Sequence, residues 1–240
     1  MKDFIKEKIK ESAVYNRLDR IERQQTEILK GLIFNNTISD SKWLKYKSFS
    51  PGSWAADYGL LYTLYRVLNG IKPNSLLEFG LGQSSKMLYQ YASYYGVKAV
   101  TYEHDSDWAK FFNEGKDGDY DVNIKIIDLD TVKYKEFETI TYKDIEKDLE
   151  DRKFDFVLVD GPFGSSHYSR SEVISVTKNN LSDRFCIIMD DTERDGEKET
   201  IQEVFSVLNS CGIDFCHCTY ISTKNHTLIC SNDLKFLTSL

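Results

Sequence analysis

The segment from Ser75 to Ser85 constrains the fold more than any other part of the chain. It reads Ser-Leu-Leu-Glu-Phe-Gly-Leu-Gly-Gln-Ser-Ser, a short apolar run followed by a glycine-rich turn and a helical segment. Gly80 and Gly82 allow backbone angles and close approaches that a Cβ atom would block, and the start of the helix offers N–H groups to an anion. The pattern indicates a nucleotide-cofactor site. A turn that only satisfies αβ loop geometry is the alternative.

A second acidic residue downstream favours the cofactor site. The next apolar run ends at Glu103, about twenty residues after the glycines, where doubly wound folds place an acid that binds a ribose diol. The turn departs from the dinucleotide fingerprint, because Ser84 stands where the third glycine would be and Glu78 precedes the turn. These departures point away from a plain dinucleotide site.

With these motifs the chain resembles the class I S-adenosylmethionine (SAM) dependent methyltransferases, whose first motif is an acid, any residue, glycine, any residue, glycine. The resemblance implies that Glu78 lies near the amino-acid end of SAM and that Glu103 holds the ribose hydroxyls. It implies that Gly80, Gly82 and Ser84 form the rest of the cofactor turn.

Apolar runs along the rest of the chain predict an α/β fold of the Rossmann-like class I methyltransferase kind. The seven candidate strands are 76–79, 99–102, 122–127, 154–159, 185–189, 213–220 and 226–230. Segments long enough for crossover helices separate the first five, including 86–95, 108–114, 142–151 and 169–179, which predicts a parallel sheet. The short linker 221–225 permits only a hairpin, so the final strand should run antiparallel to its neighbours.

Composition and charge bound the domain organisation and the setting. The 240 residues, 41% of them hydrophobic, suit one SAM-binding catalytic domain at 73–240, a helical cap segment at 37–72 and an N-terminal helix at 1–36. The net charge of -7 argues against a nucleic-acid partner. Residues 1–12 lack the apolar core of a signal peptide and no stretch has the apolar length of a membrane span, so we expect a cytoplasmic protein.

The N-terminal helix carries an apolar stripe at coiled-coil spacing. Its members are Val14, Leu18, Ile21, Gln25, Ile28 and Leu32. Two interpretations remain open: a homodimer through this helix, or packing of the stripe onto its own domain.

Three aromatic residues of the cap segment also have two interpretations. Trp43, Trp54 and Tyr58 could offer stacking surfaces to a ring or a sugar, as the segment before the first strand commonly does in class I methyltransferases. The alternative is that they pack in the core.

Acidic residues follow two of the predicted strands. Asp160 follows the strand 154–159, and Asp190 and Asp191 follow the strand 185–189. Ligands of open α/β sheets bind outside the carboxyl ends of the strands, where these side chains should meet. Converging carboxylates repel unless a proton or cation intervenes, and an all-oxygen cluster suits Mg²⁺, Mn²⁺ or Ca²⁺.

This constellation resembles the metal-dependent O-methyltransferases of the catechol and macrolide-sugar kinds. The resemblance implies that Asp160, Asp190 and Asp191 bind a divalent ion that holds two vicinal hydroxyls of the acceptor. Asp160 would also border the cofactor. Residues after the third strand often bound the adenine in class I enzymes, which implies a role for Asp128.

The loop after Asp160 differs from the catechol enzymes, which carry a basic residue soon after the first aspartate. Its Asp-Gly-Pro sequence, followed by a glycine and by Arg170, is similar to the plant glucuronoxylan methyltransferases and related bacterial polysaccharide proteins. The similarity implies a sugar or uronate acceptor. Arg170 could then pair with a carboxylate and His167 could act as general base without a metal. The alternatives are that Arg170 caps or salt-bridges the next helix and that His167 is a surface residue.

We therefore expect a SAM-dependent O-methyltransferase that acts on a hydroxyl of a sugar or polysaccharide precursor, with Mg²⁺ or Mn²⁺ as activator. The alternatives are a metal-independent small-molecule methyltransferase with His167 or Asp160 as base, a non-catalytic nucleotide-binding or scaffold protein, and an aminopropyl transferase. The five cysteines lack the spacing of a zinc site and are interpreted as free thiols.

Overall fold

The computed structural model describes residues 13–52 and 55–240, and for residues 13–16 it describes the backbone alone. The predictions for Trp54 and for the Val14 side chain lie outside this part. The helices are α1 (Ala13–Ile38), α2 (Tyr58–Ile71), α3 (Gln83–Tyr95), α4 (Ser106–Glu114), α5 (Ile145–Leu149), α6 (Glu172–Asn179), α7 (Asp195–Ser210) and a 3₁₀ helix (Asn232–Ser239). The strands are β1 (Ser75–Phe79), β2 (Lys98–Glu103), β3 (Ile124–Ile126), β4 (Leu129–Tyr134), β5 (Phe137–Tyr142), β6 (Phe154–Val159), β7 (Leu181–Met189), β8 (Phe215–Tyr220) and β9 (His226–Ser231).

Seven strands form one mixed sheet in the order β3-β2-β1-β6-β7-β9-β8. The pairs among the first five are parallel, whereas β9 is antiparallel to both β7 and β8. The seven predicted strands and the late hairpin are confirmed. The strand order and the antiparallel β9 give the α/β fold of class I methyltransferases.

The helix predicted within 142–151 is present but short, because α5 covers only Ile145–Leu149. The chain from Leu129 to Tyr142 forms a separate two-stranded hairpin, and α5 covers only one short turn-and-a-half after it. The segments 129–134 and 137–142 pair along their whole length, and Lys135 takes the left-handed conformation of a tight turn with φ 55°. The hairpin ends at Tyr142, which lies beside Gly80 and Asp160 at the carboxyl ends of β1 and β6.

The two faces of the sheet carry separate hydrophobic cores. Helices α1, α2 and α3 and the 3₁₀ helix cover one face, and α5, α6 and α7 cover the other. Trp43 is buried, stacks on Tyr65 at 5.2 Å and donates its indole N–H to Asn69. Tyr58 packs against the same core. The structure thus places both residues in packing roles, which agrees with the core-packing interpretation.

Helix α1 presents different faces to the domain and to solvent. Phe34 and Ile38 are buried in the core, and Glu27 accepts a hydrogen bond from the Tyr58 amide. In contrast, Leu18 and Ile28 of the apolar stripe are 60% and 65% exposed. Packing of the stripe onto its own domain, one of the two interpretations, is therefore wrong for the described side chains. Within the described residues no helix has the length and apolarity to cross a membrane.

Candidate active site

The glycine turn after β1 packs directly against the loop after β6. Gly80 has a φ of 90°, and a Cβ atom there would lie 2.6 Å from the carbonyl oxygen of Asp160. A Cβ on Gly161 would lie 2.6 Å from the Gly80 Cα. Gly82, in contrast, has an extended backbone with φ -168° and open space where a Cβ would be. Of the two glycines in the motif, the structure requires only Gly80.

Glu78 lies behind this turn and not in it. The residue is 1% exposed, and its carboxylate accepts hydrogen bonds from Ser84 (2.8 Å) and Thr101 (2.7 Å). Burial, partly offset by these hydroxyls, raises the pKa of Glu78 to about 7. Tyr89 donates to Thr101 at 2.9 Å and extends the network. Glu78 and Ser84 therefore fix the position of the turn from inside the domain.

Glu103, at the end of β2, joins the turn to the loop that follows it. One carboxylate oxygen accepts the Leu81 amide at 2.9 Å, and the other accepts the amides of His104 and Asp105 at 2.7 and 2.9 Å. Leu81 lies between the two motif glycines. The acid predicted to hold a ribose is thus beside the glycine turn, as the resemblance implied.

The three predicted acidic residues meet at the carboxyl ends of β6 and β7. One ligand atom from each of Asp160, Asp190 and Asp191 lies within 4.8 Å of the others. Asp190 is fully buried, and neither of its carboxylate oxygens has a hydrogen-bond partner among the described residues. Burial raises the pKa of Asp160 to about 6, and burial together with Asp160 and Asp191 raises that of Asp190 well above its ordinary value.

Arg170 is inserted into this acidic cluster. Its side chain is 3% exposed and donates to Asp191 Oδ2 at 2.7 Å and to the Asp190 carbonyl at 2.9 Å. Asp160 Oδ1 lies 3.7 Å from the same guanidinium. The positive charge offsets part of the repulsion among the carboxylates. Arg170 therefore stabilises the cluster. This role differs from both sequence interpretations, which were pairing with a substrate carboxylate and capping or salt-bridging the next helix.

The acidic cluster fits a divalent cation even with Arg170 present. Asp191 is engaged by Arg170 through Oδ2 and has Arg194 Nη2 at 3.2 Å from Oδ1, whereas both oxygens of Asp190 lack hydrogen-bond partners among the described residues. With Asp160 they supply an oxygen donor set of the kind that Mg²⁺ and Mn²⁺ prefer.

A cavity of about 190 Å³ connects the glycine turn with the acidic cluster. Gly80, Leu81 and Glu103 line one end, and Asp160 and Asp191 line the other. A larger cavity of about 730 Å³ lies at the opposite edge of the sheet, beside the N-terminal ends of β1, β2 and β6. We assign the site to the smaller cavity, because ligands of open α/β sheets bind at the carboxyl ends of the strands.

The structure adds residues that the sequence analysis missed. Tyr142, Arg194 and Lys224 also line the cavity, from β5, the start of α7 and the loop before β9. The Tyr142 hydroxyl is buried and has no hydrogen-bond partner among the described residues. Arg194 Nη2 and Lys224 Nζ lie 3.2 and 4.0 Å from Asp191 Oδ1. Tyr142 and Lys224 are distant from the motifs in sequence, so no spacing pattern could have identified them, whereas Arg194 follows Asp191 by three residues.

Six predicted site residues do not line the cavity: Glu78, Gly82, Ser84 and Asp190, whose positions are given above, and His167 and Asp128. His167 stacks on Phe137 at 3.9 Å, and its Nδ1 lies 3.0 Å from the Glu199 carboxylate. Asp128 is exposed beside β3, in a shallow depression with Asp144. The surface-residue alternative for His167 agrees with this placement, and neither side chain borders the acidic cluster.

No model of a known protein family matches the chain, and no curated protein matches its sequence. An SAH-bound O-methyltransferase from Bacillus cereus is 13% identical, with 87% of this chain and 91% of that chain covered and a TM-score of 0.48. An SAH-bound methyltransferase from Podospora anserina is 14% identical, with 92% and 96% covered and a TM-score of 0.49. A spermidine synthase from Thermotoga maritima is 14% identical, with 67% and 55% covered and a TM-score of 0.44. Identities this low show no family, and the fold assignment rests on the strand order.

Proposed function

We propose that the chain is a SAM-dependent O-methyltransferase that acts on a hydroxyl group of a sugar or polysaccharide precursor with the help of a divalent cation. The observation that carries the proposal is the single cavity that joins the Gly80 turn and Glu103 to the carboxylates of Asp160 and Asp191. A methyl transferase needs a cofactor site and an acceptor site that meet, because the reaction depends on in-line positioning of two bound reactants.

The cofactor end of the cavity is built to receive a ribose and a charged amino-acid group. Glu103 offers a carboxylate at the end of β2, and Gly80 lets the backbone approach closely. The buried hydroxyl of Tyr142 supplies a donor that has no partner among the described residues. SAM, when bound, supplies an electrophilic methyl group on a sulfonium.

At the acceptor end, the chain must position a hydroxyl group and remove its proton. As the new bond forms from the hydroxyl oxygen to the methyl carbon, the carbon–sulfur bond breaks and neutral S-adenosylhomocysteine leaves. Asp160 is the member of the acidic cluster whose backbone packs against the Gly80 turn, and its carboxylate can accept the hydroxyl proton. Asp160, Asp190 and Asp191 would hold the cation, which lowers the pKa of a bound hydroxyl.

The cationic residues of the cavity favour an acidic sugar as acceptor. Arg194 is partly exposed, with 41% of its side chain accessible, and lines the cavity together with Lys224. A guanidinium and an ammonium group suit a uronate carboxylate, and the Arg194 fork can bind it through two parallel hydrogen bonds. This assignment transfers to Arg194 the role that the sequence suggested for Arg170.

Calorimetric titration of SAM into the chelator-treated protein tests the cofactor site. We expect the wild type to bind SAM and Glu103→Gln to lose at least tenfold in affinity, because the ribose diol loses a charged acceptor. Glu114→Gln is the matched control, since Glu114 is an exposed residue of α4, 68% accessible. Absence of SAM binding by the wild type would overturn the proposal and favour the scaffold alternative.

Titration of Mn²⁺ tests the metal separately from the cofactor. Asp190→Asn should abolish the metal isotherm, whereas Asp183→Asn, at an exposed aspartate on the strand β7 that Asp190 follows, should leave it intact. If SAM binds but Mn²⁺ does not, and methyl transfer resists chelators, the metal-independent alternative is correct.

Methyl transfer from labelled SAM to UDP-glucuronate, UDP-glucose and catechol tests the acceptor class. We expect the uronate to be the best of the three and its advantage to fall in Arg194→Met. A preference for catechol that Arg194→Met leaves unchanged would refute the acidic-sugar assignment while leaving the cofactor assignment intact.

A further inference from the structure

We propose that a second copy of this chain covers the outward stripe of α1 and that the two helices form a parallel coiled coil. The outward stripe consists of Leu18, Ile21, Gln25, Ile28 and Leu32. The inference is independent of the proposed function, because it rests on surfaces away from the cavity.

The outward stripe is exposed although most of its members are apolar. Leu18, Ile28 and Leu32 are 60%, 65% and 59% accessible, and Ile21 is 40% accessible. Leu29, beside the stripe, is 58% accessible. A continuous apolar surface of this kind on one helix marks an interaction site more often than a solvated surface.

A different face of α1 packs against the domain. Phe34 and Ile38 are in the core, and a Cβ on Gly31 would lie 3.0 Å from the Tyr58 ring. These residues lie about 60° to 140° around the helix from Ile21 and Ile28, at 100° per residue. The domain therefore holds α1 in place while it leaves the outward stripe facing away.

The spacing of the stripe suits a second copy of itself. The steps along the stripe alternate three and four residues, which is the seam of a two-stranded coiled coil, with Gln25 as one polar position that can fix the register. In a parallel pair the residues flanking the seam are Arg17 of one chain and Glu22 of the other, which carry opposite charges. The charges that flank the stripe are therefore complementary in a parallel pair.

Anchoring by the domain explains how so short a seam can associate. An isolated helix with few heptads is marginal in water, because its ordering entropy opposes association. In α1 the contacts of Glu27 with Tyr58 and Thr223, and the burial of Phe34, order the helix before it meets a partner. Association then loses less entropy than it would for two free peptides.

Sedimentation equilibrium of the full chain tests the dimer. We expect about twice the chain mass of 27.9 kDa for the wild type and the single mass for Ile21→Glu/Ile28→Glu. Arg20→Glu changes the net charge by the same two units at an exposed position outside the stripe, and it should remain dimeric. Circular dichroism checks that the variants are folded. A monomeric wild type at 100 µM, or a dimer that survives the double substitution, would overturn the proposal.

Cysteine cross-linking tests the parallel orientation. Leu18→Cys should form a covalent dimer on mild oxidation, because the two copies of position 18 face each other in a parallel pair. In an antiparallel pair centred on Gln25 position 18 would face position 32, about 21 Å along the helix at 1.5 Å per residue. The wild type and Arg20→Cys are the controls for the native thiols and for random collision. Cross-linking of Leu18→Cys no faster than these controls would exclude the parallel pair.

Discussion

The Cα atom of Gly80 lies 2.6 Å from the position that a Cβ atom on Gly161 would occupy. This contact joins the turn after β1 to the loop after β6, and it holds the cofactor end of the cavity against the acidic end. Gly161 belongs to the Asp-Gly-Pro sequence and had no role assigned from the sequence. The structure requires a glycine there, because Gly80 of the first motif leaves no room for a Cβ atom.

Gly161→Ala should therefore weaken both stability and SAM binding. A Cβ in this contact forces the two backbones apart, and overpacking of this kind costs about 1–3 kcal/mol. We expect a lower melting temperature and an affinity for SAM reduced at least tenfold, measured by calorimetry. Gly82→Ala, at an open position, should stay within twofold of the wild type. Equal behaviour of the two variants would contradict the assigned contact.

Glu78→Gln should make the protein less sensitive to pH. The folded state raises the pKa of Glu78 from 4.5 to about 7, so it favours the protonated carboxyl group. The contribution of this group to the free energy of unfolding is therefore fully present below pH 4.5 and is lost as the pH rises to about 7. The loss is about 3 kcal/mol at 1.36 kcal/mol per pH unit. Since glutamine cannot ionise, the stability of Glu78→Gln relative to the wild type should increase between pH 5 and pH 8 in urea unfolding. Glu136→Gln, at an exposed turn, should show no such trend.

Tyr142→Phe should separate stability from cofactor binding. The Tyr142 hydroxyl is buried without a partner, so its removal should leave the free energy of unfolding unchanged or raise it by about 1 kcal/mol. If this hydroxyl donates to SAM, the affinity should fall about 2- to 12-fold, the equivalent of about 0.5–1.5 kcal/mol. Tyr89→Phe, which loses bonds to Thr101 and Asn123, should instead lower stability. Unchanged SAM affinity in Tyr142→Phe would show that the hydroxyl has no part in binding.

Arg170→Met should be the most destabilising of these substitutions. It leaves Asp160, Asp190 and Asp191 without the buried charge that offsets their repulsion, and breaking a buried ion pair costs about 3–5 kcal/mol. Arg184→Met, which breaks a surface pair with Asp233, should cost no more than about 1 kcal/mol. Urea unfolding measures both. A loss for Arg170→Met as small as that of the control would show that the cluster is neutralised by other means.

The sheet was predictable from sequence because its central strands are short apolar runs separated by segments of distinct length. The linker 221–225 alone fixed the antiparallel hairpin of β8 and β9, since no crossover fits in it. The β4–β5 hairpin was not predictable in the same way. Its residues 129–142 mix charged and apolar types, and local pairing decided their structure.

The candidate site was only partly predictable. The positions of Glu103 and of the three acidic residues follow from their place at strand ends, because parallel strands bring their carboxyl ends to one edge. The roles of Arg170 and His167 depended on side-chain directions within one loop. Arg170 turned inward to the acidic cluster and His167 turned outward to Glu199, and no residue pattern distinguishes these outcomes.

By itself the sequence determined the sheet, the glycine turn and the edge at which the acidic residues collect, because each depends on local periodicity and on the length of connections. Only the tertiary structure decided which charges neutralise one another, that Tyr142, Arg194 and Lys224 enter the cavity, and that the outward stripe of α1 faces solvent. These depend on distances between residues far apart in the chain. The packing of helices and loops on both faces of the sheet sets these distances. A buried charge is stable only where an oppositely charged partner lies within a few ångströms, so the pairing follows from the packing.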